Sequence, residues 1–283
     1  MPTTPAGVRL RGLLGGGAVR VLVVEAHRPA DEARRRHGLD ADTADITART
    51  MIAAALLSAY LKGDELMTVQ LQGEDPRIAV YVDQTAEGAI RARTTPSHVP
   101  HGEPVRGVLL AIKSLGSKEL YRGATAVDGT LEDALAQHLG QSAQVDALLR
   151  VYVRIDDEGR VAAASGLLLE RLPEEPGQPS ITAEAFDEAY RVLRTAEAGP
   201  LMTELAFGRL QGEELKVLDS EPLVWSCRCS LERVLTTLRS LGDTELQQMI
   251  DEDHGAEVTC HFCNETYHVD EDGLRELLSG QRA

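Results

Sequence analysis

The chain has 283 residues, 29 basic and 45 acidic, for a formal net charge of −16. Its 43% hydrophobic and 4% aromatic content suits an aliphatic core spread over about two domains. No apolar run reaches the roughly 18 residues of a membrane span, and the acidity excludes the basic face that nucleic-acid binding needs.

Residues 1–20 are glycine-rich around Gly15-Gly16-Gly17 and read as a loop leading into a strand at 19–25. The glycines lack the Gly-Lys-Ser/Thr of a phosphate loop, so no nucleotide site is expected. Met1–Gly7 shows neither a charged n-region nor an apolar h-region, so no secretory signal is expected. A cytoplasmic setting follows, in which thiols stay reduced. Arg34-Arg35-Arg36-His37 reads as the solvated face of a helix.

Residues 42–62 read as a helix capped by Asp42 or Thr43, with Ile46, Met51, Ala54, Leu57 and Leu61 at its apolar positions. Its middle is apolar nearly all round, which predicts burial on several sides. Strands follow at 66–72 and 77–83 about the turn Gly73-Glu74-Asp75-Pro76. More are expected at 88–94, 105–113, 119–126, 148–155 and 160–170. A helix at 130–139 is capped by Thr130, with Asp133 three residues on. Strands joined by short turns, with the helices segregated from them, predict an α+β domain with a mainly antiparallel sheet over residues 1–172.

Pro173-Glu174-Glu175-Pro176-Gly177-Gln178-Pro179 marks a boundary. Beyond it, 182–197 reads as an amphipathic helix with Phe186, Ala189, Tyr190 and Leu193 on one face, followed by a short helix at 201–207. The apolar, strand-like run Leu223-Val224-Trp225 then reaches the first cysteine. Residues 173–226 are thus expected as a helical linker, and 227–283 as a small C-terminal domain. Charge is uneven across these parts. Residues 1–172 carry 20 basic and 22 acidic groups, net −2; 173–226 carry 4 and 11, net −7; 227–283 carry 5 and 12, again −7.

In the last part Ser230 is expected to cap a helix at 231–241, with Leu231, Val234, Leu235, Leu238 and Leu241 inward. Asp243 would cap a second helix at 244–253. A strand at 267–269 and a final helix bearing Leu274, Leu277 and Leu278 complete the unit. A core of about 57 residues is marginal alone and calls for a metal.

All four cysteines lie here, as Cys227-x-Cys229 and Cys260-x-x-Cys263, with 30 residues between the pairs. Four thiolates match a tetrahedral zinc ion. Such a site is either an inert staple or one meant to release its metal, because zinc-held thiolates are oxidisable. His254, His261 and His268 read as neighbours rather than ligands, given four cysteines. His101-Gly102-Glu103 ahead of Cys260–Cys263 echoes a zinc-deaminase signature, but Thr259 stands where that signature has proline. There is no nucleophile elbow, paired-carboxylate motif or dinucleotide fingerprint, so no enzyme activity is expected.

The segments Trp225-Ser226-Cys227-Arg228-Cys229-Ser230-Leu231-Glu232-Arg233, Leu241-Gly242-Asp243-Thr244-Glu245-Leu246 and Cys260-His261-Phe262-Cys263-Asn264-Glu265-Thr266-Tyr267 together resemble the heat-shock protein 33 family of redox-regulated chaperones. The likeness extends through His37, Leu61-Lys62-Gly63, Tyr121-Arg122-Gly123, Gly166-Leu167-Leu168-Leu169 and Leu172-Pro173. It departs at Gly73-Glu74-Asp75-Pro76, where the family has Gly-Asp-Gly-Pro, and at Ser165-Gly166, where it has two glycines.

The resemblance implies a cytoplasmic, ATP-independent holdase. In the reduced form Cys227, Cys229, Cys260 and Cys263 would hold one zinc ion and the protein would be inactive. Oxidation would form disulfides Cys227–Cys229 and Cys260–Cys263, release zinc, and unfold the C-terminal part and the linker. The active form would be a homodimer that binds unfolding client proteins. Client contacts are expected at Phe186, Ala189, Tyr190, Leu193, Leu201, Leu205 and Phe207. A Cys227–Cys229 bridge spans a single residue, which favours easy reduction. Two rival readings stay open: a constitutive, zinc-stapled protein-binding module without a switch, and a zinc enzyme, which would need a ligand-deficient site with an open coordination position.

Overall fold

The computed structural model describes residues 7–14, 17–143, 147–173, 209–210 and 213–280. The chain divides into two compact units, Met1–Ser226 and Cys227–Ala283.

The first unit is built on strands β1 (Gly7–Leu14), β2 (Val19–Glu25), β3 (Glu65–Asp75), β4 (Arg77–Thr85), β5 (Ala89–Thr95), β6 (Val105–Leu115), β7 (Lys118–Gly129), β8 (Ala147–Ile155) and β9 (Val161–Arg171). Two-residue strands β10 (Arg209–Leu210) and β11 (Glu213–Glu214) pair with each other, and β12 spans Lys216–Trp225. The main sheet has ten strands in the order β7-β6-β3-β4-β5-β12-β1-β2-β9-β8. Its pairings are antiparallel except β12 with β5. The architecture is mixed α+β, as the element pattern predicts.

Helices α1 (His27–His37), α2 (Ala41–Leu57) and α3 (Leu131–Ala143) accompany this sheet. α2 is the centre of the core. It contacts β9, β8, β3 and β4, and Ile46, Met51, Ile52 and Leu56 are fully enclosed. Its cap is Asp40, whose carboxylate accepts from the Thr43 N–H at 2.9 Å. The helix therefore starts one residue before the predicted start and is capped from two residues before Asp42. It ends at Leu57 in a short 3₁₀ turn, Ser58–Tyr60, rather than running to 62. α3 carries the predicted cap: the Asp133 N–H donates to Thr130 Oγ1 at 3.1 Å.

Two expectations need correction. Residues 7–14 are a strand, not loop. Arg9 on β1 is nearly buried because its guanidinium is held by Ser58 Oγ, the Ala86 carbonyl at 2.6 Å and Glu221. Residues 216–222 of the expected helical linker are strand, joined to the strand-like run expected at 223–225 as β12, which pairs along β1 from Leu13↔Lys216 to Gly7↔Leu223. The helices expected at 182–197 and 201–207 lie outside the described residues.

The family departure at Ser165-Gly166 lies on β9 where α2 crosses it. Ser165 is buried and donates to Glu25 Oε1 at 2.7 Å, so the hydroxyl has a partner. Gly166 is a close approach: a Cβ there would stand 2.4 Å from Ile52 Cγ2.

The second unit holds α4 (Leu231–Arg239), α5 (Asp243–Gln248), a π-helical turn (Met249–Asp253), the hairpin β13 (Gly255–Thr259) and β14 (Thr266–Asp270), and α6 (Glu271–Ser279). Its buried core is Val234, Leu238, Leu246, Ile250, Val269, Leu274 and Leu277. Ser230 caps α4 as predicted, accepting from the Arg233 N–H, and Asp270 caps α6. Leu231 and Leu241, expected inward, are about half exposed at 45% and 49%. Gly242, not Asp243, precedes α5, and its φ of 97° explains the glycine.

Packing at Gly166 leads to a specific expectation. Gly166→Ala should destabilise the first unit by about 1–3 kcal/mol, since the methyl must displace Ile52 in a close-packed core. Urea unfolding of the reduced protein measures this, with Gly140→Ala, a helical position where a Cβ meets open space, as the harmless control.

Candidate metal centre

Cys227 and Cys229 sit in the irregular stretch between β12 and α4, and Cys260 and Cys263 in the loop of the β13–β14 hairpin. The hairpin loop is shaped by backbone bonds. The Cys260 N–H donates to the Glu265 carbonyl at 2.9 Å, and the Asn264 N–H to the Cys260 carbonyl at 2.8 Å. Asn264 takes a left-handed φ of 53°, a conformation that asparagine tolerates better than most residues. Both cysteines of the loop thereby face the same point.

The four Sγ atoms lie within 4.8 Å of one another. Cys227 Sγ is 3.7 Å from Cys260 Sγ, and Cys229 Sγ is 3.3 Å from Cys263 Sγ. None is in a disulfide; Cys263 is buried and the other three are half-buried. Sulfurs around a tetrahedral zinc at about 2.3 Å stand about 3.8 Å apart. The donor set and its spacing therefore fit such an ion.

Tyr267, on β14, donates its hydroxyl to Cys229 Sγ at 3.1 Å. Burial pushes the Cys229 thiol up from its usual range, and the Tyr267 hydroxyl works against that shift. Burial pushes Cys263 up further still, with the Glu265 backbone opposing. Tyr267 is itself raised, first by its bond to Cys229 and then by burial. Without a cation these two thiols hold their protons at neutral pH. A metal must displace them, so binding releases protons and strengthens as pH rises.

No histidine joins the cysteine group among the described residues. His254 Nδ1 is 2.8 Å from Glu271 and His268 Nδ1 is 3.3 Å from Glu257, both at the surface. The deaminase echo dissolves in the same way. Glu103 belongs to the first unit, where it accepts from the Leu131 N–H at 2.5 Å and pairs with Arg49 at 3.3 Å. The client-contact candidates Phe186, Ala189, Tyr190, Leu193, Leu201, Leu205 and Phe207 lie outside the described residues. Sequence reasoning placed Tyr267 in a strand but missed its role. Alternation along β14 was the available signal, since Tyr267 shares the inward face with Val269.

The family model described as Hsp33 protein matches residues 8–270. The chain belongs to the Hsp33 family. It is similar to the 33 kDa chaperonin of Enterococcus faecalis, 34% identical with 95% of each chain covered. It is similar also to the 33 kDa chaperonin of Shouchella clausii, 33% identical over 93% of this chain and 94% of the other. Among solved structures, the 33 kDa chaperonin (heat shock protein 33 homolog) of Thermotoga maritima matches with a TM-score of 0.81 and 25% identity, covering 97% of this chain and 98% of that one. This is a chaperone family, and the four-sulfur cluster is where its fold could hold a metal. No helix among the described residues is long and apolar enough to cross a membrane.

Tyr267→Phe removes one donor to Cys229 without changing the ligand count. Loss of such an outer partner typically weakens a metal site about 10–100-fold. Competition against a chromogenic chelator should show that loss, and affinity in both proteins should fall from pH 8 to pH 6.

Proposed function

We propose that this protein is a redox-regulated, ATP-independent holdase chaperone whose reduced form holds one zinc ion through Cys227, Cys229, Cys260 and Cys263. The observation that carries this reading is the convergence of four unbridged sulfurs within 4.8 Å, inside a unit whose buried core is seven residues. All four tetrahedral positions would be filled by protein, which suits a structural ion and leaves no open position for catalysis. The protein is accordingly read as a non-enzyme.

Oxidation converts the four thiolates into two disulfides, Cys227–Cys229 and Cys260–Cys263. Four electrons pass to the oxidant, and zinc loses its ligands. Metal binding supplies about 10–16 kcal/mol of apparent folding free energy to small zinc modules. Whole domains have only about 5–15 kcal/mol in total. Losing the ion therefore unfolds the second unit. The functional division is 1–172 as the core domain, 173–226 as a metastable linker and 227–283 as the switch. The linker face Phe186, Ala189, Tyr190 and Leu193, with Leu201, Leu205 and Phe207, would then become available to unfolding clients. The active form is a homodimer in the cytoplasm and needs no nucleotide.

Reduced protein should carry one equivalent of zinc and allow a heat-denatured client to aggregate. After hypochlorite treatment the zinc should be free in solution and light scattering should be suppressed without nucleotide. Equal suppression by both forms would instead indicate a constitutive, zinc-stapled binding module.

A further inference from the structure

β12 lies inside the main sheet rather than at its rim. One edge pairs with β1 from Gly7 to Leu13, while on the other edge only Val224 and Trp225 meet β5. Removing β12 would separate β7-β6-β3-β4-β5 from β1-β2-β9-β8 and leave β1 with a bare strand edge. Ser226 ends the first unit directly after β12, and Cys227 opens the second. The strand is therefore the last ordered element before the four-cysteine unit.

The side chains that hold β12 have a definite chemistry. In register, Arg9 stands opposite Glu221 and Arg11 opposite Asp219. Arg9 pairs with Glu221, and Arg11 Nε donates to Asp219 at 2.8 Å. The Arg9 side chain is only 8% exposed. Two residues beyond Glu221, Leu223 is fully buried, and the Arg36 guanidinium lies over Trp225, 5.9 Å from the ring centroid. The pattern of the occupant is acid, acid, apolar, apolar at alternate positions.

We propose that β12 is the resident occupant of a strand-binding slot, and that once it leaves, the slot takes extended client segments carrying carboxylates at alternate positions followed by large apolar side chains. The proposal rests on the release of the cysteine unit argued above. Main-chain bonds to the β1 edge supply affinity without regard to sequence, and side-chain sites supply preference. Arg9 sets that preference. With β12 gone it keeps only the neutral partners Ser58 Oγ and the Ala86 carbonyl, a cation whose carboxylate an acidic strand replaces. A basic strand would place like charges face to face.

The test uses the full chain and a synthetic peptide of residues 216–225. The peptide should bind the oxidised protein, fail to bind the reduced one, and compete with client in the aggregation assay. Replacing both its acids by lysine should weaken binding about tenfold or more. Hydrogen exchange should show β1 amides losing protection on oxidation and regaining it with peptide or client. A second arm is independent of redox chemistry. Asp219→Lys with Glu221→Lys expels the resident strand, so reduced protein carrying both changes should bind the wild-type peptide; the milder Asp219→Asn with Glu221→Gln serves if the first fails to fold.

Oxidised protein that suppresses aggregation while β1 stays protected and the peptide does not compete would overturn the slot and leave the chaperone reading intact. β1 protection that rises with protein concentration and ignores client would assign the slot to β12 of a second copy, and overturn the client assignment. Oxidised protein that keeps its zinc and suppresses nothing would remove the redox reading. The slot then stands or falls on peptide binding by the reduced double variant.

Discussion

The four sulfurs stand close enough to share one cation, or else must keep protons between them. Two of the thiols are driven toward the protonated form by burial, and Tyr267 gives only one of them a hydrogen bond. Four thiolates within 4.8 Å of one another are unstable without a positive charge between them. The hairpin loop, the cap at Ser230 and the seven-residue core all converge on this point. None of them is large enough to hold it closed unaided, since units of this size bury too little surface to be robust. The first unit has its own core around α2, whereas the second has a small core and a cluster that could hold a metal.

That asymmetry gives the chain order its meaning. A larger α+β unit comes first, and a small unit with four clustered cysteines comes last. At the end of the first unit, β12 is held by backbone pairing, by two arginine–carboxylate pairs and by buried Leu223 and Trp225. Val217 and Leu218, near its start, remain about half exposed. Ion pairs with exposed partners contribute little net stability, yet they set a condition on the charge that sits opposite. The acidic half of β12 is thus specified more tightly than it is stabilised.

The parts legible in sequence were those whose signals are local. The hydrophobic run of α2, the hairpin alternation of β3 and β4, the Thr130 and Ser230 caps and the paired cysteines all announce themselves within a few residues. β1 and β12 did not. Arg9 sits at an inward position, which breaks the alternation, and its partner Glu221 is 212 residues away. Asp219, Glu221 and Pro222 make β12 look like linker, since proline is rare inside a sheet. Each strand makes sense only beside the other. The capping shift in α2 is a smaller case of the same kind: Asp40, Asp42 and Thr43 are all competent caps, and tertiary context selected Asp40.

Charge completes the picture. The first 172 residues are nearly neutral at −2, while the following 111 carry −14. For a folded protein such an imbalance costs self-repulsion; for a segment meant to unfold it is protective, because a strongly charged chain stays solvated and resists collapse. On the proposed reading, four thiolates around a zinc dication would add about two further negative charges, which conversion to disulfides would remove together with the ion. The acidic segments would then lose their cross-link while keeping their solubility. They also retain β12's own carboxylates, which remain tethered near Arg9 and Arg11. A tethered strand returns at high effective concentration, so on the proposed reading the resident occupant would displace any client strand that lets go once the thiols were reduced and the ion rebound.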